Sequence, residues 1–270
     1  GADNTNSYSE YNSWNQLTKT MQNGKTASYT YNGDGLRMSK TVDGKTTKHI
    51  WDGTDIVGDV TDGTVTKYIR GLQLISSKNG SNENFYTYNG HGDVVQLTNN
   101  TGAITKQYNY DAFGVETNKT NNDTNPFRYC GEYYDIETDS VYLRARYYRP
   151  TTGRFITEDS YWNVDNMIYG NSNDKKPNIN AIIQSGSLYI YCNSNPVRMI
   201  DPDGKYIVDS AARNIWRLGA EYYLRNRKGW YLTATLLELS TYGSGQHFEA
   251  HNGEYAADLI KYNSGFNEQI

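Results

Sequence analysis

Cysteine is scarce in this chain: Cys130 and Cys192 are the only two in 270 residues. Two cysteines cannot build a disulfide scaffold, and their separation matches no metal-ligand spacing. Both are expected as free or buried thiols rather than as a bridge. An excess of positive charge is also missing. The 26 Lys and Arg face 30 Asp and Glu, for a net charge of −4, which excludes the broad basic footprint of a nucleic-acid binder. No apolar run approaches the ~20 residues that span a bilayer. The opening GADNTN shows no charged-then-apolar leader. Gly-rich phosphate loops, nucleophile elbows and Cys–His patterns are absent too, so no cofactor is expected.

Proline and aliphatic side chains are sparse as well, with 5 prolines and only 36% hydrophobic residues. What fills the chain is 26 tyrosines and 25 glycines. Tyrosine suits a pleated, half-buried surface and glycine suits tight turns. Many short strands joined by turns, over a thin aliphatic core, follow from that pairing.

The tyrosines keep a beat. EYNSWNQLTKT, TYNGDGLRMSKTVDGKT, TYNGHGDVVQLTNNTG and NYDAFGVETNKT share an aromatic start, a turn signal and a β-type run. Their anchors are Tyr11, Tyr31, Tyr88 and Tyr110, with Trp51 and Tyr68 carrying the beat between in altered letters. Asn32–Gly35 and Asp43–Lys45 read as hairpin turns, because Asn-Gly and Asp-Gly supply the positive-φ residues that such turns need. One hairpin cannot close a core, but stacked hairpins can.

These Tyr-Asn/Asp-Gly units resemble the YD repeats of Rhs proteins. The stretch FRYCGEYYDIETDSVYLRARYYRPTTGRFITED, and later SLYIYCNSNPVRMIDPDG, resemble the Rhs repeat-associated core. The resemblance implies a mainly β fold in which stacked hairpins form a spiral shell closed by the core segment. Three regions are expected: repeats over 1–126, the core over 127–204 with a polar insertion at 165–186, and a variable C-terminal segment over 205–270. It also implies a secreted or cell-surface bacterial protein whose shell encloses its own C-terminal effector region. A cognate immunity protein is a further partner in view; in an alternative reading the chain is a surface module without toxin activity whose exposed tyrosines bind cell-wall glycans. The shell itself makes no catalytic demand.

The core segment reads in two ways. Tyr142, Tyr147 and Tyr148 are amphipathic plates, and Arg144, Arg146, Arg149 and Arg154 are planar forks that stack on rings and grip carboxylates. With the Pro150–Gly153 turn and Phe155, they would make a closing clamp, joined by Asn195, Pro196, Pro202 and Gly204 of the NPVRMIDPDG signature. The sharper reading comes from the resemblance: in self-cleaving members two aspartates cut the chain just after the DPxG signature. By position these are Asp159 and Asp201. This chain departs from that pattern at Ser160, Lys205 and Arg149, where the family carries Pro, Leu and Asp, and the two aspartates lie 42 residues apart.

At Lys205 the grammar changes. Ala212, Ile215, Trp216, Gly219 and Tyr222 fall at helical spacing, with Asp209 or Ser210 as the cap. Further helices are expected near Trp230–Ser240 and after Gly253. The HFEAH cluster sets His247, Glu249 and His251 at metal-capable spacing, but its spelling is not H-E-x-x-H and its Gly-rich flanks predict a surface loop. No metal is assigned to it.

Overall fold

One side-chain device builds five of the turns in the repeats. Asn12, Asn32, Asn89, Asn99 and Asp111 each turn a side-chain oxygen back onto the amides two and four residues ahead. For Asn32 these are Asp34 at 3.1 Å and Leu36 at 2.8 Å, and for Asp111 they are Phe113 and Val115, both at 2.9 Å. The residue three places on takes the left-handed backbone: Gly35 at φ +80, Gly92 at +99, and Asn15 at +59 in the one turn that lacks glycine there. Asn32 thus acts through its amide group and not through a positive φ, a correction to the tight-turn expectation for Asn32–Gly35. Asp43-Gly44 and Asp62-Gly63 do use positive φ at both positions, as two-residue hairpin turns require.

The computed structural model describes residues 7–22, 24–120, 123–159, 186–205 and 207–211. Between the turns run strands β1 (Tyr8–Tyr11), β2 (Leu17–Gln22), β3 (Lys25–Tyr31), β4 (Arg37–Val42), β5 (Lys45–Asp52) and β6 (Asp55–Thr61). They continue as β7 (Thr64–Arg70), β8 (Leu74–Asn79), β9 (Asn82–Tyr88), β10 (Val94–Asn99) and β11 (Ile104–Gln107). All eleven form one antiparallel meander in sequence order. Strands β12 (Tyr133–Asp135), β13 (Ser140–Leu143), β14 (Arg146–Arg149) and β15 (Arg154–Phe155) make a second antiparallel sheet. A last pair, β16 (Met199–Ile200) and β17 (Val208–Asp209), straddles the end of the core segment. Among the described residues no helix is long and apolar enough to cross a membrane.

The structure explains the tyrosine beat. Tyr31 and Tyr88 donate their hydroxyls, both at 2.7 Å, to the carbonyls of Leu17 and Leu74, and Tyr110 donates at 3.0 Å to Val94. Where the letter changes, the donor remains: Trp51 Nε1 reaches the Arg37 carbonyl at 2.8 Å, and Arg70 Nε reaches Ile56 at 2.9 Å. Each residue before a turn therefore ties its strand back to the head of the preceding long hairpin. Arg70, not Tyr68, fills that place in the third unit; Tyr68 points inward instead and donates to Asp59. Leu17, Ile56, Leu74 and Val94, whose carbonyls are gripped, are themselves core residues, each at most 3% exposed. Replacing Tyr88 by phenylalanine should orphan the Leu74 carbonyl and cost about 1–3 kcal/mol, read as a lower urea midpoint with unchanged slope. A midpoint equal to the parent's would deny the hydroxyl its role.

The second sheet supplies the rest of the core. Phe127, Tyr133, Tyr142 and Tyr147 pack with Leu17, Tyr29, Ile56, Tyr68 and Leu74 of the meander. Val141, Leu143, Tyr148 and Phe155 pack with Tyr191 and Ile200 in a neighbouring cluster. Tyr148 lies 3.8 Å from Tyr191 in a stacked pair. Cys130 and Cys192 are both buried and unbridged.

The Arg–Tyr stacking differs from the sequence expectation. The guanidinium set among Tyr142, Tyr133 and Tyr147 is that of Arg37, from the repeats, 4.3 Å from the Tyr142 ring and 5.1 Å from Tyr133. Of the core segment's arginines, Arg128 lies 4.7 Å from the Tyr134 ring, whereas three of those expected in the clamp go elsewhere: Arg144 to Glu132 and the Pro202 carbonyl, Arg149 to Gln22, and Arg154 to Ser187. The helices expected after Ala211, the HFEAH cluster and nearly all of the 165–186 insertion lie outside the described residues. Asp209 Oδ1 does accept the Ala211 amide at 2.9 Å, the bond that a capping aspartate makes.

Candidate functional site

Arg146 opens β14 and is 2% exposed, with its guanidinium carbon 3.6 Å from the Phe155 ring. The short β14–β15 connection, Pro150–Thr152 followed by Gly153 at φ +64, brings Phe155 back beneath it. A Cβ on Gly153 would stand 3.0 Å from the Phe113 ring. From this platform every edge of the guanidinium is used. Nη1 meets Asp159 at 3.1 Å, Nη2 meets Asp201 at 3.2 Å, and Nε donates to the Gly204 carbonyl at 2.5 Å.

Two aspartates 42 residues apart in sequence are thus gathered on one arginine. Asp159 is fixed through its amide, which donates to the Leu188 carbonyl at 3.1 Å. Asp201 follows β16, where Asn195 holds the turn by accepting the Met199 amide at 3.0 Å and Pro196 is buried. Pro202 offers its carbonyl to Arg144 at 2.9 Å. Gly204 is required on two counts. Its φ is +75, and a Cβ would lie 2.7 Å from the Leu143 carbonyl and 2.9 Å from the Arg146 amide, closer than side chains pack.

The Gly204–Lys205 peptide is held from both ends. Its carbonyl oxygen takes the Arg146 Nε–H, and the amide of Lys205 donates to Asp201 Oδ1 at 3.1 Å and to Asp203 Oδ1 at 3.0 Å. Burial pushes the Asp201 carboxyl well above the usual range, and the neighbouring Asp203 and Asp159 add to the rise against the opposing pull of Arg146. Two carboxyls gathered on one guanidinium, one of them raised by burial, are groups from which an acid–base pair can be built.

Resemblance to self-cleaving family members singles out Asp159 and Asp201, and residue chemistry gives Arg146 a general role of stacking on rings and gripping carboxylates, without naming its partners. Its place as the hub depends on contacts with residues 13, 55 and 58 positions downstream, which no local pattern reveals.

The family model for the teneurin YD-shell matches residues 4–197. Among curated proteins, the tRNA(Glu)-specific nuclease WapA of Bacillus subtilis subsp. natto is 34% identical over 241 residues, covering 85% of this chain and 10% of that protein. The tRNA nuclease WapA of Bacillus subtilis is 34% identical over 200 residues, 71% of this chain and 8% of that protein. This chain therefore spans about a tenth of the length of these relatives. Of solved structures, the TcdB2–TccC3–TEV crystal structure superposes with a TM-score of 0.55 at 19% identity, over 73% of this chain and 10% of that one. That likeness establishes the fold of stacked antiparallel hairpins. The WapA matches are to bacterial proteins of the secreted, cell-surface type that the resemblance implied. The meander of hairpins, the closing sheet and the matched family model agree, and the chain belongs to the YD-shell family, the toxin-associated Rhs/WapA kind of YD-repeat shell.

Proposed function

We propose that this shell segment encloses and presents an effector region lying beyond Gly204, and that Arg146, Asp159 and Asp201 cut the Gly204–Lys205 bond to free it. The observation that carries the reading is the double grip on that one peptide, a guanidinium on its carbonyl and an aspartyl group on its amide. In the cut, Asp159 takes a proton from a water molecule as its oxygen attacks the Gly204 carbonyl carbon. The oxygen of Gly204 gains negative charge against the Arg146 Nε–H, as an oxyanion donor requires. The C–N bond breaks, and Asp201 passes its proton to the Lys205 nitrogen. The products are a carboxyl at Gly204 and an amine at Lys205.

Support for a cargo comes from two kinds of relative. The WapA proteins are named as nucleases, and a TcdB2–TccC3 structure is described as lacking a hypervariable C-terminal region. A segment of changing sequence at 205–270, delivered in competition between bacteria and countered by a cognate immunity protein, fits that pattern. Expression of the whole chain followed by intact-mass measurement should give a fragment whose first residue is Lys205. Asp201→Asn and Asp159→Asn should leave one full-length species that melts cooperatively. A wild-type chain that stays whole on prolonged incubation would sink the cleavage reading, and a fragment still formed by both variants would move it to other residues.

A further inference from the structure

A second group of chemistry-bearing side chains lies away from the Arg146 cluster, where the turn after β9 meets the core segment. His91 and Asp93 sit on the Asn89 turn, whose side-chain oxygen holds the amides of both. Cys130 comes from the 3-10 turn Tyr129–Gly131 and donates its own amide to Asp93 Oδ1 at 2.9 Å. One donor atom each from His91, Asp93 and Cys130 lies within 4.8 Å of the other two. All three side chains are largely enclosed, with the Tyr129 ring 5.6 Å from the imidazole.

The imidazole lies between the Asp93 carboxylate and two backbone carbonyls. Its Nδ1 is 2.9 Å from Asp93 Oδ1, while its Nε2 is buried without a hydrogen-bond partner. The groups that face the ring from the core are acceptors, the backbone carbonyls of Pro196 and Met199. A neutral ring with its proton on Nδ1 points a lone pair at those carbonyls. Moving the proton to Nε2 turns that contact favourable and frees the Nδ1 lone pair toward Asp93 and Cys130. A metal-bound histidine commonly donates its other N–H to a backbone carbonyl in this way.

We propose that His91 Nδ1, Asp93 Oδ1 and Cys130 Sγ form a binding site for a zinc-class divalent ion. Mixed nitrogen, sulfur and carboxylate donors suit zinc and its near neighbours, whereas calcium and magnesium demand oxygen throughout. On binding, the thiol proton leaves to solvent, the ring keeps its own on Nε2, and the ion occupies the space between the three donors. The ion would pin the β9–β10 turn to the closing segment, two parts of the chain 37 residues or more apart in sequence.

The test uses the reduced, chelator-stripped full chain titrated with Co²⁺. One saturable equivalent is expected, with a thiolate-to-cobalt charge-transfer band in the near ultraviolet that zinc abolishes by displacement. Cys130→Ser should erase the band. His91→Ala should weaken uptake by at least the roughly 10–100-fold that loss of an outer-shell partner costs. Cys192→Ser and the paired change His247→Ala with His251→Ala should leave both intact, and zinc should raise the melting temperature of the parent but not of Cys130→Ser. Any of three results would overturn the proposal: no saturable uptake by the folded parent, a band that survives in Cys130→Ser, or uptake that follows His247 and His251 instead. Because the Cys130→Ser change removes one donor atom and little volume, its melting curve in chelator tells loss of the ion from loss of the fold.

Discussion

Arg37→Leu should cost about 3–5 kcal/mol, although it restores the kind of side chain that the repeat itself prefers. Leu17, Ile56, Leu74 and Val94 occupy the matching position in the other units, and only here is it a guanidinium. Arg37 is fully enclosed. It pairs with Asp135 through Nη1 at 2.5 Å and Nη2 at 3.1 Å, donates to the Tyr147 hydroxyl at 3.2 Å, and sends Nε to His49 Nε2 at 3.2 Å. That last bond makes His49 Nε2 the acceptor and leaves Nδ1–H for Asp59 at 2.6 Å. Tyr68 and Tyr133 donate to the other oxygen of Asp59. One guanidinium thus orders a polar layer spanning both sheets. Removing it strands Asp135, itself fully enclosed, against Lys40 alone at 3.0 Å. A buried charge that loses its partner is far more costly than a pair replaced whole. Arg37→Leu combined with Asp135→Leu should therefore recover most of the lost stability, since Lys40 keeps Glu137 at 3.1 Å. Urea unfolding followed by circular dichroism reads the order of the three proteins. A single variant within about 1 kcal/mol of the parent, or a double variant weaker than the single, would contradict it.

The same pair gives the parent an acid limb. Burial by itself would raise the Asp135 carboxyl, but Arg37 and Lys40 beside it hold it below the usual 3.8. A carboxyl lower in the folded state than in the unfolded contributes stability above 3.8 that is lost as pH falls toward the folded value. Arg37→Leu should flatten that limb.

How legible was this in the sequence? The hairpins were legible because their cause is local. A turn here has Asn or Asp at its head with glycine three places on in all but the Asn12 turn, or an Asp-Gly pair, and these are visible as letters. The donor beat was legible only where it stays tyrosine; at Trp51 and Arg70 a different side chain does the same bonding, and a search for rings lands on Tyr68 instead. Arg37 could have been found by aligning the units and asking why one aliphatic position holds a charge. Its partner Asp135 could not, because the ion pair joins residues 98 positions apart across two sheets. The two aspartates stood out through resemblance to a family motif. Their hub, Arg146, and the group of His91, Asp93 and Cys130 depend on packing of the core segment against the repeats, which composition and periodicity leave open.

The second large effect concerns the proposed cut after Gly204, whose pH profile tests the roles given to the two aspartates. In the proposed cut Asp201 serves as the acid, and burial raises its carboxyl above the usual range. Raising pH through its elevated value removes the proton that the Lys205 nitrogen must receive, so the first-order appearance of the fragment should slow about tenfold per pH unit on that limb. The stability consequence has the same sign. The folded chain binds more protons than the unfolded between 3.8 and the raised value, so Asp201 contributes a loss of stability as pH rises across that window. Asp201→Asn, with no proton to lose, should stop cleavage by about 10²-fold or more while removing that alkaline sensitivity, which separates a lost acid from a lost fold. Arg146→Lys keeps one cation between the carboxyls but cannot hold Asp159, Asp201 and the Gly204 oxygen at once, because a point charge lacks the fork. Its cleavage should fall by roughly 10²–10³-fold, the range for one oxyanion donor, with the pH limb still present. If Arg146→Lys instead cuts at the parent rate, the guanidinium is scaffolding and the carbonyl is activated by something else. If the parent's rate rises with pH, Asp201 is the base, and the assignments of the two aspartates must be exchanged.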